Sequence, residues 1–173
     1  MESKVIFSAR LISFSAVTEY RVYAKDSDFF FIEIPGMSKV SESMAIHFGL
    51  IGLLIRNSMR KKAKAKADLL FQTEGNQDPQ HLIGNSKNNF QVHIPEIRDS
   101  SLTPPTFFAF HGNQAGRWEF VMRDGKKRKF EIESLDDMKS AVNTLPRFLS
   151  GTLRIHVEWN ESKKKFQKTN SHH

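Results

Sequence analysis

Three groups of side chains in this 173-residue sequence stand out as candidates for catalysis, metal binding or ion recognition: seven histidines, one adjacent aspartate pair, and several runs of lysine and arginine. The histidines stand at 47, 81, 93, 111, 156, 172 and 173 with no HExxH spacing, and no cysteine is present, so a metal site would have to be gathered from distant positions. His47 in an apolar run and His156 in a strand pattern read as structural. Asp136 and Asp137 follow Ser134, where capping of a helix start explains them more simply than paired-carboxylate catalysis. No GxSxG elbow, phosphate loop or dinucleotide fingerprint occurs. The expectation is a chain that is not an enzyme, with no cofactor, no metal and no identified small-molecule substrate.

The cations are more informative. The formal net charge is +7, which favours contact with something anionic: an inner membrane leaflet, an acidic protein or a nucleic acid. One run, Arg56, Arg60, Lys61, Lys62, Lys64 and Lys66, has no acidic residue within it. A second decorates RDGKKRK: Arg123, Lys126, Lys127, Arg128 and Lys129. Both are candidate anionic-surface contacts, and the bland alternative for each is a solvated face that keeps the chain soluble and a strand edge unpaired. Phe48, Ile51 and Ile55, together with Phe107 and Phe108 in TPPTFFAFHGNQAG, are candidate apolar contacts for lipid or a partner's pocket; packing over a sheet is the alternative.

These residues need elements to position them. Met44 to Ile55 is almost wholly apolar but makes only about 18 Å of helix against roughly 30 Å of hydrocarbon, so it does not form an ordinary membrane span. Phe48, Ile51 and Ile55 fall on one side of a helical wheel, with Ile46, Leu50 and Leu53 opposite. A helix with no polar face must be buried in protein, in lipid or against a second copy. Alanines 63, 65 and 67 extend helix propensity through the basic run, which predicts one helix over about 40–72, apolar first and basic later. Gly49 and Gly52 permit close helix approach but lack the four-residue spacing of a membrane dimer motif.

Around that segment the pattern is β. LISFSAV and YRVYAKDSDFFFIEI read as a meander with a turn at Asp26, ending at Pro35-Gly36. EGNQDPQ is a polar linker. Phe90, Val92 and Ile94 alternate until Pro95 stops the strand. RWEFVMRDGKKRKFEIES predicts a β-hairpin with a type I′ turn at Asp124-Gly125. Ser134 caps a helix whose apolar stripe is Met138, Ala141, Val142, Leu145 and Leu149, with Pro146 in its last turn and Gly151 closing it. TLRIHVEWN then reads as one strand with Leu153, Ile155, Val157 and Trp159 on one face, and SKKKFQK as a smaller basic tail. At the N-terminus Arg10 interrupts the apolar run, so a signal peptide is not expected.

In order and pattern, RVYAKDSDFFFIEI, the GLIG helix with its lysines, NSKNNFQVHIPEIRDS, GRWEFVMRDGKKRKF and LPRFLSG resemble the pleckstrin-homology-like superfamily. The likeness is to bacterial proteins of unknown function with a PH-like or GRAM-like core, over roughly Tyr20 to Phe166. The resemblance implies an α+β fold: a strongly bent antiparallel β-sheet, a PH-like partial barrel, with a C-terminal amphipathic helix and, here, a long inserted helix. It implies one domain over 1–169 with 40–72 inserted and 170–173 as a disordered tail. Two features depart from the family: the inserted helix, and a strand after the helix that would ordinarily finish the domain. No binding residue is carried over. The expected function is a non-enzymatic binding module that associates with an anionic lipid surface or a protein partner through the basic helix; the alternative is RNA or DNA binding through the same surface. The expected place is the cytoplasm, with peripheral attachment at the inner membrane face as the finer reading.

Overall fold

Three consecutive phenylalanines cannot all point to one side of a strand, so a sheet that contains Phe29, Phe30 and Phe31 must be covered on both faces. The computed structural model describes residues 4–12, 17–34, 78–105 and 114–169. In it the three rings lie on strand β3 (Asp28–Glu33). Phe29 and Phe31 enter the main core, whereas Phe30 joins Tyr23, Ile32 and Leu82 in a smaller cluster on the other face.

Before β3 come β1 (Lys4–Ile12) and β2 (Val17–Lys25); after it come helix α1 (Pro79–Leu82), β4 (Phe90–His93), β5 (Ile97–Thr103), β6 (Gly116–Met122) and β7 (Lys127–Ile132). Helix α2 (Leu135–Phe148) follows, and then β8 (Leu153–Ile155), β9 (Val157–Asn160) and β10 (Lys165–Lys168). Eight strands form one sheet in the order β4-β3-β2-β1-β7-β6-β5-β8, and β9 pairs with β10 separately.

That order forces curvature. β4 and β5 stand six strand spacings apart in the sheet, about 29 Å if it were flat. Only Ile94–Glu96 connects them, a link that spans at most about 14 Å. The sheet therefore curls until its ends approach, and the interior is filled by rings from distant strands. Phe29 of β3 meets Trp118 of β6 edge to face at 5.5 Å, and Phe31 stacks on Phe90 at 4.4 Å and on Phe130 at 4.9 Å. Trp118 is fully buried, and its indole Nε1 donates to Ser100 Oγ at 2.9 Å, so the one polar atom of this large ring is satisfied.

Helix α2 covers part of this interior with Met138, Ala141 and Leu145. Its N-cap Ser134 accepts from the Asp137 amide at 2.9 Å, and Asp137 Oδ1 in turn accepts the Ser8 amide of β1 at 2.7 Å. The second bond ties the helix start to the sheet and gives Asp137 a structural occupation. Where β6 begins, Gly116 lies so close to α2 that a Cβ would sit 2.6 Å from the Met138 thioether and 3.0 Å from the Thr103 carbonyl. Only glycine fits this crossing without displacement.

The α+β expectation, an antiparallel partial barrel with a C-terminal amphipathic helix and a long inserted helix, is corrected. The described residues are mostly strand and their large sheet is mixed, because β8 runs parallel to β5. The two α-helices are short, and α2 is followed by three strands instead of ending the chain. The physical reason is the crossover: α2 carries the chain over the sheet, and β8 then lies beside β5 in the same direction. The segment 40–72, expected to be the inserted helix, falls outside the described residues.

Smaller readings change as well. LISFSAV is not one strand, since β1 ends at Ile12 and β2 starts at Val17, and the strand VIFSARL was not foreseen. TLRIHVEWN divides at His156 into β8 and β9, leaving Ile155 exposed while Val157 is buried. SKKKFQK is not a tail: it forms the turn and second strand of the β9–β10 hairpin.

Candidate functional site

The part of the candidate site on described residues is the β6–β7 hairpin. Its turn is not type I′. The Gly125 amide donates to the Met122 carbonyl at 3.0 Å, and Gly125 alone of the turn residues has positive φ, +87°. This is a type I turn followed by a left-handed glycine, with the Met122 amide reaching the Lys126 carbonyl at 2.8 Å across the bulge. Asp124 stays in ordinary backbone space and uses its carboxylate to accept from the Lys126 amide at 2.9 Å.

Each of the five cations has an intramolecular partner. Arg123 donates from Nε to the Pro95 carbonyl at 2.9 Å, and its amide donates to the Glu96 carbonyl at 2.8 Å, binding the hairpin to the β4–β5 link. Arg128 faces the inside of the sheet, where its guanidinium carbon sits 4.1 Å above the Phe90 ring. Both arginines therefore hold the curled sheet closed, and their charge is less available to a ligand. Lys126 pairs with Asp124 at 2.8 Å, and Lys127 and Lys129 flank Glu119 at 2.7 and 3.3 Å.

These contacts set the local protonation. Burial alone would push the Glu119 carboxyl up, but hydrogen bonds from Lys127 and Lys129, with their charges, outweigh it and hold the group below its ordinary range. Asp124 is held below its ordinary value chiefly by the Lys126 hydrogen bond. The tip thus offers three lysines against two ionised carboxylates. Lys126, Lys127 and Lys129 remain 76, 59 and 51% exposed, and exposed pairs of this kind exchange partners at little cost.

Arg56, Arg60, Lys61, Lys62, Lys64 and Lys66, and the apolar candidates Phe48, Ile51, Ile55, Phe107 and Phe108, lie outside the described residues. Of the histidines, His81, His93 and His156 are described, and His93 Nδ1 contacts Asp28 Oδ1 at 3.0 Å. Among the described residues no three His, Cys, Asp or Glu side chains converge as metal ligands, and no helix is long and apolar enough to cross a membrane.

Two features escaped sequence reasoning. Arg10, read there only as an interruption, is buried on the outer face of the sheet, bonded to Glu131 at 3.1 Å and to Glu133 at 2.5 Å. The register sets Glu19, Arg10, Glu131 and Arg117 in one row across β2, β1, β7 and β6, so the charges alternate in sign. The second feature is the lysine-rich turn Glu161 to Lys164 between β9 and β10. The signal for it was present: Asn160 followed by Glu161-Ser162 between two short apolar alternations is a turn pattern.

Comparison of the chain with family models, with curated proteins and with solved structures finds no match.

Proposed function

We propose that the protein is a non-enzymatic, pleckstrin-homology-like binding module that associates with an anionic membrane surface. The observation that carries this reading is the exposure of three ammonium groups, Lys126, Lys127 and Lys129, on a hairpin whose base is anchored by Arg123 and Arg128. Anchoring matters because a pre-positioned cation loses less entropy on contact than one carried on a loose loop. The run from Arg56 to Lys66 would add charge of the same sign.

Juxtaposed lysines near an anionic bilayer each gain about 1 kcal/mol of attraction. Sedimentation of the whole chain with neutral and with anionic vesicles therefore tests the proposal. Binding is expected only to the anionic vesicles, falling with added salt and with Arg60, Lys61, Lys62 and Lys64 changed to Glu. Equal sedimentation with both lipids refutes it.

A further inference from the structure

The two basic hairpins differ in one respect that bears on function: among the described residues, the cations of the first are partnered and Lys163, Lys164 and Lys165 of the second are not. Lys163, Lys164 and Lys165 are all exposed, and among the described residues their ammonium groups meet no carboxylate. Glu161 stands in the same turn without pairing to them. We propose that the β9–β10 turn, presenting Lys163, Lys164 and Lys165, is an anion-contact surface of this protein for acidic phospholipid. The proposal rests on the binding-module reading above and gives it a second, unneutralised contact point.

The turn is built to hold its shape. Asn160 Oδ1 accepts from the Lys163 amide at 2.9 Å and from Ser162 Oγ at 2.8 Å, while Asn160 Nδ2 donates to Gln167 Oε1 at 2.9 Å and Gln167 Nε2 donates to Glu158 Oε1 at 2.8 Å. Below this ladder Val157 and Phe166 are buried, Trp159 packs edge to face on Phe166 at 5.2 Å, and Lys139 of α2 lies 4.5 Å over the Trp159 ring. Three exposed charges are thus carried by a hairpin with a fixed seat.

Backbone conformation is the second, independent observation. Lys164 occupies φ +46°, the left-handed region in which a side chain with a Cβ is strained and in which glycine or asparagine is the unstrained choice. The fold alone would be better served by glycine. A lysine here keeps a charge at the last turn position before β10 in spite of the strain, as expected where the charge is used.

The chemistry favours a lipid surface over nucleic acid. The hairpin's rings face inward or are stacked under Lys139, so its tip offers no platform for bases. It also carries no arginine fork for bidentate recognition of phosphates or base edges; lysine ammoniums are point charges that suit a diffuse field.

The test uses the full chain, vesicles of phosphatidylserine with phosphatidylcholine, and vesicles of phosphatidylcholine alone. The triple change Lys163→Gln, Lys164→Gln and Lys165→Gln should lower partition onto the acidic vesicles by about a hundredfold at an unchanged Tm. Lys164→Gly is the separating variant: its Tm should hold or rise by up to about 3 °C while partition falls about fivefold. If the wild type binds acidic vesicles but only Lys126→Gln, Lys127→Gln and Lys129→Gln reduce it, this inference is overturned and the module reading stands. Absence of charge-dependent vesicle binding by the wild type overturns both. A single-stranded oligonucleotide that binds more tightly than the vesicles, and loses that binding in the first triple variant, overturns the lipid assignment. So does displacement from vesicles by millimolar inorganic phosphate at constant ionic strength.

Discussion

Replacing Arg10 with Met should destabilise the protein far more than the loss of one surface charge would. The Arg10 side chain is 5% exposed and its partner Glu131 11%, so the 3.1 Å pair is screened by almost no water. Glu133, 36% exposed, can rehydrate when its 2.5 Å contact disappears. Glu131 cannot, and Glu19, opposite Arg10 on β2, is buried as well. Truncating one partner of a buried pair costs about 3–5 kcal/mol; the Glu131 charge left behind has lost water and one of the two cations beside it in the row, with Arg117 of β6 remaining. For a chain of this length that corresponds to a fall in Tm of roughly 10 °C or more. The double change Arg10→Met with Glu131→Leu removes the stranded charge, so most of the loss should return, with the two singles summing to at least about 2 kcal/mol more than the double. Urea denaturation of the wild type and the three variants, with m constant across the set, measures this directly. An Arg10→Met protein within 1 kcal/mol of wild type, or strict additivity in the double, would show that the row of alternating charges does not behave as a buried ion pair.

Two further outcomes follow from the packing and the electrostatics. Gly116→Ala pushes a methyl group against the Met138 thioether and the Thr103 carbonyl; the thioether can swing aside but the carbonyl cannot, so a loss of about 1–3 kcal/mol is expected in denaturation, and none would mean that β6 and α2 shift apart freely. Because Glu119 is held below the ordinary carboxylate range, its stabilising contribution is complete above the unfolded pKa of about 4.3 and disappears as pH falls through the lower folded value. Changing Lys127 and Lys129 to Met should therefore shrink the difference in Tm between pH 6 and pH 3, and an undiminished difference contradicts the assignment of that acid sensitivity to Glu119.

Sequence patterning located the β6–β7 hairpin and the capped helix because both are local. Trp118 and Phe120 alternate within β6, and Ser134 meets Asp137 within one helical turn. The strand order was not legible, since nothing within nine residues of β1 tells that Arg10 faces Glu131, 121 positions away. The same distance explains the misreading of Arg10: a charged residue in a strand looks like an interruption until its partner is known. The turn type was missed for a different reason. Asp-Gly is compatible with type I′, yet here the loop contains an extra residue and only Gly125 takes positive φ. The parallel pairing of β8 with β5 depends on where α2 delivers the chain, a property of three-dimensional packing that no local periodicity encodes.

The contrast between the hairpins shows why a run of positive charge does not by itself mark a contact site. RDGKKRK has the higher density of cations, but Arg123 and Arg128 close the curled sheet and the three lysines share Asp124 and Glu119. What such a tip can give an external anion is the difference between a new contact and an existing one. SKKK carries fewer cations and, among the described residues, no pairing, so its interaction with an external anion is reduced by the fields of Glu161 and Glu158 and not by an existing ion pair. Screening sharpens the distinction: with a Debye length of about 8 Å at physiological salt, each ligand senses the charges around it and hardly senses the +7 of the whole chain. The pairing state of each lysine, rather than the net charge, therefore decides where an anionic surface would settle.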